Sequence, residues 1–142
     1  MMKVSWMGTD YSINVAKADS AGTVGVFESV TPAGDGPPVH IHNNEDEVLH
    51  VIDGEFEFWL DGQVSRAAQG RSVFLPRGVP HTFRVVGDRP GRILAITVPG
   101  GFENFFVEVS ERDLRIPDNM PELMELAGRY GLQFVGPAQW AD

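Results

Sequence analysis

The 142-residue chain contains no cysteine, which excludes disulfides, thiolate metal sites and cysteine nucleophiles. Small secreted domains commonly depend on disulfide staples, so this absence leans toward a reducing interior. No apolar run approaches the roughly 20 residues that span a bilayer. The opening Met1-Met2-Lys3-Val4-Ser5-Trp6-Met7 lacks the apolar stretch of a signal peptide. A cytoplasmic protein without a membrane partner is the expectation. Basic residues are also few: 11 Lys and Arg stand against 20 Asp and Glu, a formal net charge of −9. An acidic chain repels phosphate backbones, and no helix-turn-helix segment is evident, so nucleic acid is not an expected partner.

Turn residues, by contrast, are abundant, with 16 glycines and 10 prolines. They separate short runs rich in Val, Ile and Phe: 24–30, 39–42, 48–52, 56–60, 72–75, 82–86 and 92–98. Asp53-Gly54, Asp61-Gly62, Pro76-Arg77-Gly78 and Asp88-Arg89-Pro90-Gly91 mark the turns between them. β-Branched and aromatic content decides for strand over helix in runs this short. The length fits one domain, residues 1–142. An all-β chain of this size buries its apolar faces as two packed sheets or a closed barrel. Only the C-terminal quarter departs from this pattern. Leu123, Leu126, Ala127 and Tyr130 recur at helical spacing between Pro121 and Gly131, predicting a short amphipathic helix over 121–130.

Three of the four histidines fall into a spaced pattern with a glutamate. His40-Ile41-His42 on a strand aims two imidazoles at one face, a turn through 43–46 returns Glu47 to the same space, and His81 arrives from a later strand. Three imidazoles and a carboxylate meeting inside a β-domain supply nitrogen and oxygen ligands for a divalent first-row transition metal. The alternative is a set of scattered surface residues or a hydrogen-bonded core cluster. His50 is out of phase with Glu47 and is read as a surface or subunit-contact residue, and Glu45 and Asp46 as turn residues.

The two blocks resemble the paired motifs of the cupin superfamily, specifically its small single-domain members. Gly34, His40, His42, Glu47 and Gly54 meet the first pattern within 34–54, and Gly70, Pro76, Gly78 and His81 meet the second within 70–85. Where that second pattern often ends in asparagine, this chain has Val85. The segment 99–106 and the tail more loosely resemble the quercetin-dioxygenase-like group. The resemblance implies a double-stranded β-helix, or jelly-roll barrel, with a short C-terminal helix, and His40, His42, Glu47 and His81 as metal ligands. It also implies a homodimer in which Trp6 and the 24–30 run cover a partner's sheet.

Four protein ligands leave two positions of an octahedral ion open, which suits Fe, Mn, Ni or Co; Zn also fits, as a more saturated site. The leading expectation is a metal-dependent dioxygenase acting on a small enolic or phenolic substrate, with Glu47 as ligand and base. Phe83 and Val85 share the face of His81 and are expected at the substrate pocket. Phe102, Phe105 and Phe106 are expected to form a lid or pocket mouth, or else to anchor the C-terminal helix. The same ligand set also serves isomerases, decarboxylases, lyases and noncatalytic small-molecule-binding proteins.

Overall fold

Each run of alternating apolar residues has become a strand whose buried face looks into one interior. The computed structural model describes residues 1–140. In chain order the strands are β1 (Met2–Trp6), β2 (Thr9–Val15), β3 (Gly25–Thr31), β4 (Val39–His42), β5 (Asp46–Asp53) and β6 (Glu55–Leu60). They continue with β7 (Gln63–Ala68), β8 (Ser72–Leu75), β9 (His81–Val86), β10 (Gly91–Val98) and β11 (Leu132–Gly136). Helices α1 (Glu103–Glu111) and α2 (Met120–Arg129) lie between β10 and β11.

The strands form a six-stranded sheet in the order β1-β2-β3-β10-β5-β8 and a five-stranded sheet in the order β11-β4-β9-β6-β7. Every pairing is antiparallel. Consecutive strands β4, β5 and β6 alternate between the sheets, which is how a double-stranded β-helix closes on itself. Alternation sorts the side chains. In β5, Glu47, Leu49 and Val51 are buried while Val48 and His50 are only half-buried. Phe56 and Phe58 from the smaller sheet meet Phe27, Leu49, Val51 and Ile93 from the larger one in a common core. Between β6 and β7, Asp61 and Gly62 both take positive φ (47° and 91°), the conformation that a two-residue hairpin requires.

All seven runs read from the sequence are strands, and four further strands join them. These are β1, β2, β7 and β11. Strand β7 is almost wholly exposed, and β1 and β11 are likewise outermost in their sheets. An edge strand buries little and writes a weak apolar pattern.

The C-terminal helix runs over Met120–Arg129, one residue earlier than its spacing predicts, with Pro121 in its first turn and Leu123, Leu126 and Ala127 buried. Helix α1 was not foreseen. Residues 102–106, read as a lid or an anchor, enter this helix and bury Phe105, Phe106 and Val109. Phe105 meets the Tyr130 ring edge-on at 5.8 Å, and the Tyr130 hydroxyl donates to the Glu108 carboxylate, so α1 does tie down the end of α2. The fully buried Glu103 accepts the Lys17 and Gly101 backbone N–H groups at 2.7 and 2.8 Å, fastening the start of α1 to the 3-10 turn at Lys17–Ser20.

Of the two elements expected to cover a partner's sheet, Trp6 is engaged within its own chain, whereas the outward side chains of the 24–30 run, Val26, Glu28 and Val30, stay at least partly exposed. Strand β3 lies inside the larger sheet between β2 and β10. Trp6 packs edge-on against Phe105 of its own chain at 5.8 Å, and its indole N–H donates to the Leu114 carbonyl.

Candidate metal centre

Strand β4 carries His40 and His42 two residues apart on one face. Strand β9 begins at His81, directly opposite His40 in the register. Glu47 comes from β5 in the other sheet, so the four side chains converge from both walls of the barrel. Ring centroids are 5.1 Å apart for His40–His42, 4.5 Å for His40–His81 and 5.4 Å for His42–His81. One nitrogen from each ring falls within 4.8 Å of the others. The Glu47 Oε1 atom lies 3.5 Å from His81 Nε2 and 4.0 Å from His42 Nε2.

The outer nitrogen of each ring is held. His40 Nδ1 is 2.8 Å from the Pro38 carbonyl, His81 Nδ1 is 3.2 Å from the Val79 carbonyl, and His42 Nδ1 is 2.7 Å from Glu45 Oε1. An acceptor on Nδ1 fixes the proton there and leaves Nε2 as the basic atom, which is how metal-binding histidines are oriented. His81 Nε2 is buried and has no hydrogen-bond partner among the described residues. A buried polar atom left alone is costly, and a metal ion satisfies it. The cluster is therefore of the kind that binds a divalent transition metal.

Charge follows burial and neighbours. Burial, followed by the adjacent His81 and His42, holds His40 well below the usual imidazole range, so it stays neutral and able to ligate. Burial also disfavours the charged form of His42, but the hydrogen bond to Glu45 and the charges of Glu47 and Glu45 outweigh it and raise its pKa. For Glu47 burial acts upward, and the contact with His81 and the nearby His42 reverse it, holding the carboxyl below its usual range.

Glu45 lies in the turn before β5, as its sequence position suggests, but it does more than turn the chain. It is buried and holds a histidine of the cluster. Its signal was the i, i+3 spacing from His42, which becomes a contact only once residues 43–45 turn back. Asp46 instead accepts the Arg77 backbone N–H at 2.9 Å and its guanidinium at 3.3 Å, pinning the β8–β9 turn beside β5. His50 lies on the opposite side of β5 from Glu47 and makes a 2.7 Å hydrogen bond with Ser72.

A cavity of about 310 Å³ opens beside the cluster, with His40, Glu47 and His81 in its wall. Phe83, Phe102, Phe105 and Phe106 line it too. Val85 does not. It faces Phe56 across the sheet and is buried in the core. Phe102 stands edge-on to the His42 ring, 4.3 Å between centroids, closing that side of the cluster.

The family model "Cupin domain" matches residues 26–97. The chain is a cupin. This cupin is 30% identical over 92 residues to the quercetin 2,3-dioxygenase of Bacillus subtilis (strain 168), a match covering 63% of this chain and 27% of that enzyme. The chain spans less than two thirds of the length of the curated relatives it matches. Among solved structures it resembles KdgF from Halomonas sp. with a TM-score of 0.64 and 16% identity, over 72% of this cupin and 90% of that chain. The polyketide cyclase RemF from Streptomyces resistomycificus aligns with a TM-score of 0.58 and 21% identity, over 69% of this cupin and 70% of RemF. Likenesses at these identities show the fold alone. No helix among the described residues is long and apolar enough to cross a membrane.

Proposed function

We propose that this cupin is a metal-dependent dioxygenase of a small enolic or phenolic compound, with His40, His42, His81 and Glu47 as ligands to Fe, Mn, Ni or Co. The observation that supports it is the buried, partnerless His81 Nε2 among three imidazoles whose other nitrogens are already tied. Similarity to a quercetin 2,3-dioxygenase supports the oxidative reading.

When bound, a divalent ion supplies Lewis acidity toward the substrate oxygen and the electron chemistry that dioxygen requires. The protein does the rest. His40, held neutral, and the other two imidazoles keep their Nε2 atoms directed at one point. Glu47, held ionised by its imidazole neighbours, is the base that accepts the substrate's hydroxyl proton at a carboxylate oxygen. Phe83, Phe102, Phe105 and Phe106 orient a flat ring and exclude water.

The reading includes a homodimer. Exposed Phe74 on edge strand β8 begins an apolar row, through Val48 and Ile96 to Val26, across the outer face of the larger sheet. Light scattering during gel filtration tests it.

The decisive experiment loads metal-free protein under argon with each of Fe, Mn, Ni and Co. It then follows oxygen uptake on adding a panel of enols and phenols. Stoichiometric uptake with product formation is expected. Turnover without oxygen uptake assigns an isomerase, decarboxylase or lyase instead, and binding without turnover assigns a noncatalytic cupin.

A further inference from the structure

Away from the histidines the cavity changes character. Strands β2 and β3 turn Thr9, Tyr11, Ser29 and Thr31 into it, with Tyr11 opposite Ser29 in the register. Thr9, Ser29 and Thr31 expose only 9%, 7% and 2% of their surface. The Thr9 and Thr31 hydroxyls lie 3.5 Å apart, and Thr9 and Tyr11, two residues apart on β2, share its inward face. Ser29 adds its hydroxyl to this lining. A molecule that displaces water from such a lining leaves the hydroxyls unsatisfied unless it supplies a polar group in return.

No lysine or arginine lines the cavity; its two acids are Glu47, in the histidine cluster, and Asp35, which is exposed. An anionic group carried to the hydroxyl-lined end would lose its water and find no counter-charge. A neutral oxygen would find several hydroxyls that both donate and accept.

We infer that Thr9, Tyr11, Ser29 and Thr31 form a second recognition site, which takes a neutral hydroxyl or carbonyl oxygen at the end of the substrate remote from the metal. The inference rests on the metal centre proposed above and narrows its substrate to an uncharged, ring-bearing molecule with two oxygens set well apart. Register gives the span. Glu47 lies level with Thr97 on β10, and Ser29 lies level with Ile93 on the same strand. Four residues along β10 are about 13 Å and the two strand spacings from β5 to β3 about 9.6 Å, so the Glu47 and Ser29 backbones stand roughly 16 Å apart. Both side chains reach inward across that gap, which leaves room for a molecule of two fused rings with an oxygen at each end.

The test measures binding, not turnover. Nickel-loaded protein under argon is titrated with three fluorescent probes. One is 2,6-dihydroxynaphthalene. The second is 2-naphthol, which lacks the far oxygen, and the third is 6-hydroxynaphthalene-2-sulfonic acid, whose anionic group is a poor metal ligand and so falls at the far end. The diol is expected to bind roughly three- to tenfold more tightly than 2-naphthol, and at least about tenfold more tightly than the acid. Ser29→Ala and Thr31→Val, confirmed folded by circular dichroism, should bring the diol to the level of 2-naphthol and leave 2-naphthol itself unchanged. In metal-free protein both neutral probes should weaken while their ratio persists. Affinities that ignore the metal, with that ratio intact, overturn the metal reading and leave the hydroxyl site standing. Equal binding of diol and 2-naphthol, an acid that binds as well as the diol, variants that weaken both probes alike, or no binding by any probe overturns the hydroxyl site.

Discussion

Glu45 Oε1 lies 2.7 Å from His42 Nδ1, and both side chains are buried. The other two histidines of the cluster lean on backbone carbonyls, Pro38 and Val79. A carboxylate is the stronger acceptor, so His42 is the ring whose orientation and basicity depend on a replaceable side chain. Glu45→Ala should weaken metal binding by roughly 10- to 100-fold, read by competition with a chromophoric chelator. Glu45→Gln, which can still present an amide oxygen, should recover part of that loss. Equal affinities in all three proteins would show that Glu45 serves packing only.

Metal should stabilise the fold by mass action. At about 100 times the dissociation constant, saturation adds about 2.7 kcal/mol, or roughly 5–10 °C in Tm for a chain of this size. The added stability should vanish in His81→Ala, because the partnerless Nε2 is gone. Thermal melts with and without nickel measure both.

Affinity should fall with acidity. His42 has a pKa raised above the ordinary imidazole value, so the metal-free protein binds a proton there that metal must displace. Glu47 is held low and stays ionised through the neutral range, so it releases no proton there. The proton on His42 is retained below its raised pKa and absent above it, so metal affinity and the metal-induced rise in Tm should both be larger at pH 8 than at pH 6. Calorimetry in buffers of different ionisation enthalpy should count a proton released near pH 6.5. No release would refute the assignment of His42 as a ligand.

Gly36 presses the 34–38 loop against β9, and an added Cβ would sit 1.9 Å from the Phe83 carbonyl oxygen. The same loop brings the Pro38 carbonyl to His40. Gly36→Ala should therefore cost about 1–3 kcal/mol of stability, measured by urea denaturation, and should loosen metal binding in the same variant.

The barrel and the cluster were legible for one reason: both are written at short, fixed spacings. Strand alternation places His40 and His42 on one face, and turn glycines deliver β5 and β9 to the same interior. What was not legible depends on contacts between distant segments. Glu45 reads as a turn residue until the chain folds back onto His42. Helix α1 hides in an aromatic cluster after Pro99-Gly100-Gly101, and its apolar face finds a surface only when Trp6 and Tyr11 arrive from the N-terminal hairpin. Val85 has the strand phase of His81 yet packs in the core opposite Phe56, because it lies four residues, about 13 Å, further along β9 from the cluster.

The ring contacts that close the cavity have a practical use. Trp6 meets Phe105 edge-on, Phe105 stacks on Phe102 at 5.6 Å, and Phe102 touches the His42 imidazole. An indole on the first strand is thus wired by rigid aromatic packing to a nitrogen donor deep in the barrel. Occupancy of the centre can then be followed without any label, through the near-ultraviolet dichroism and emission of a native chromophore.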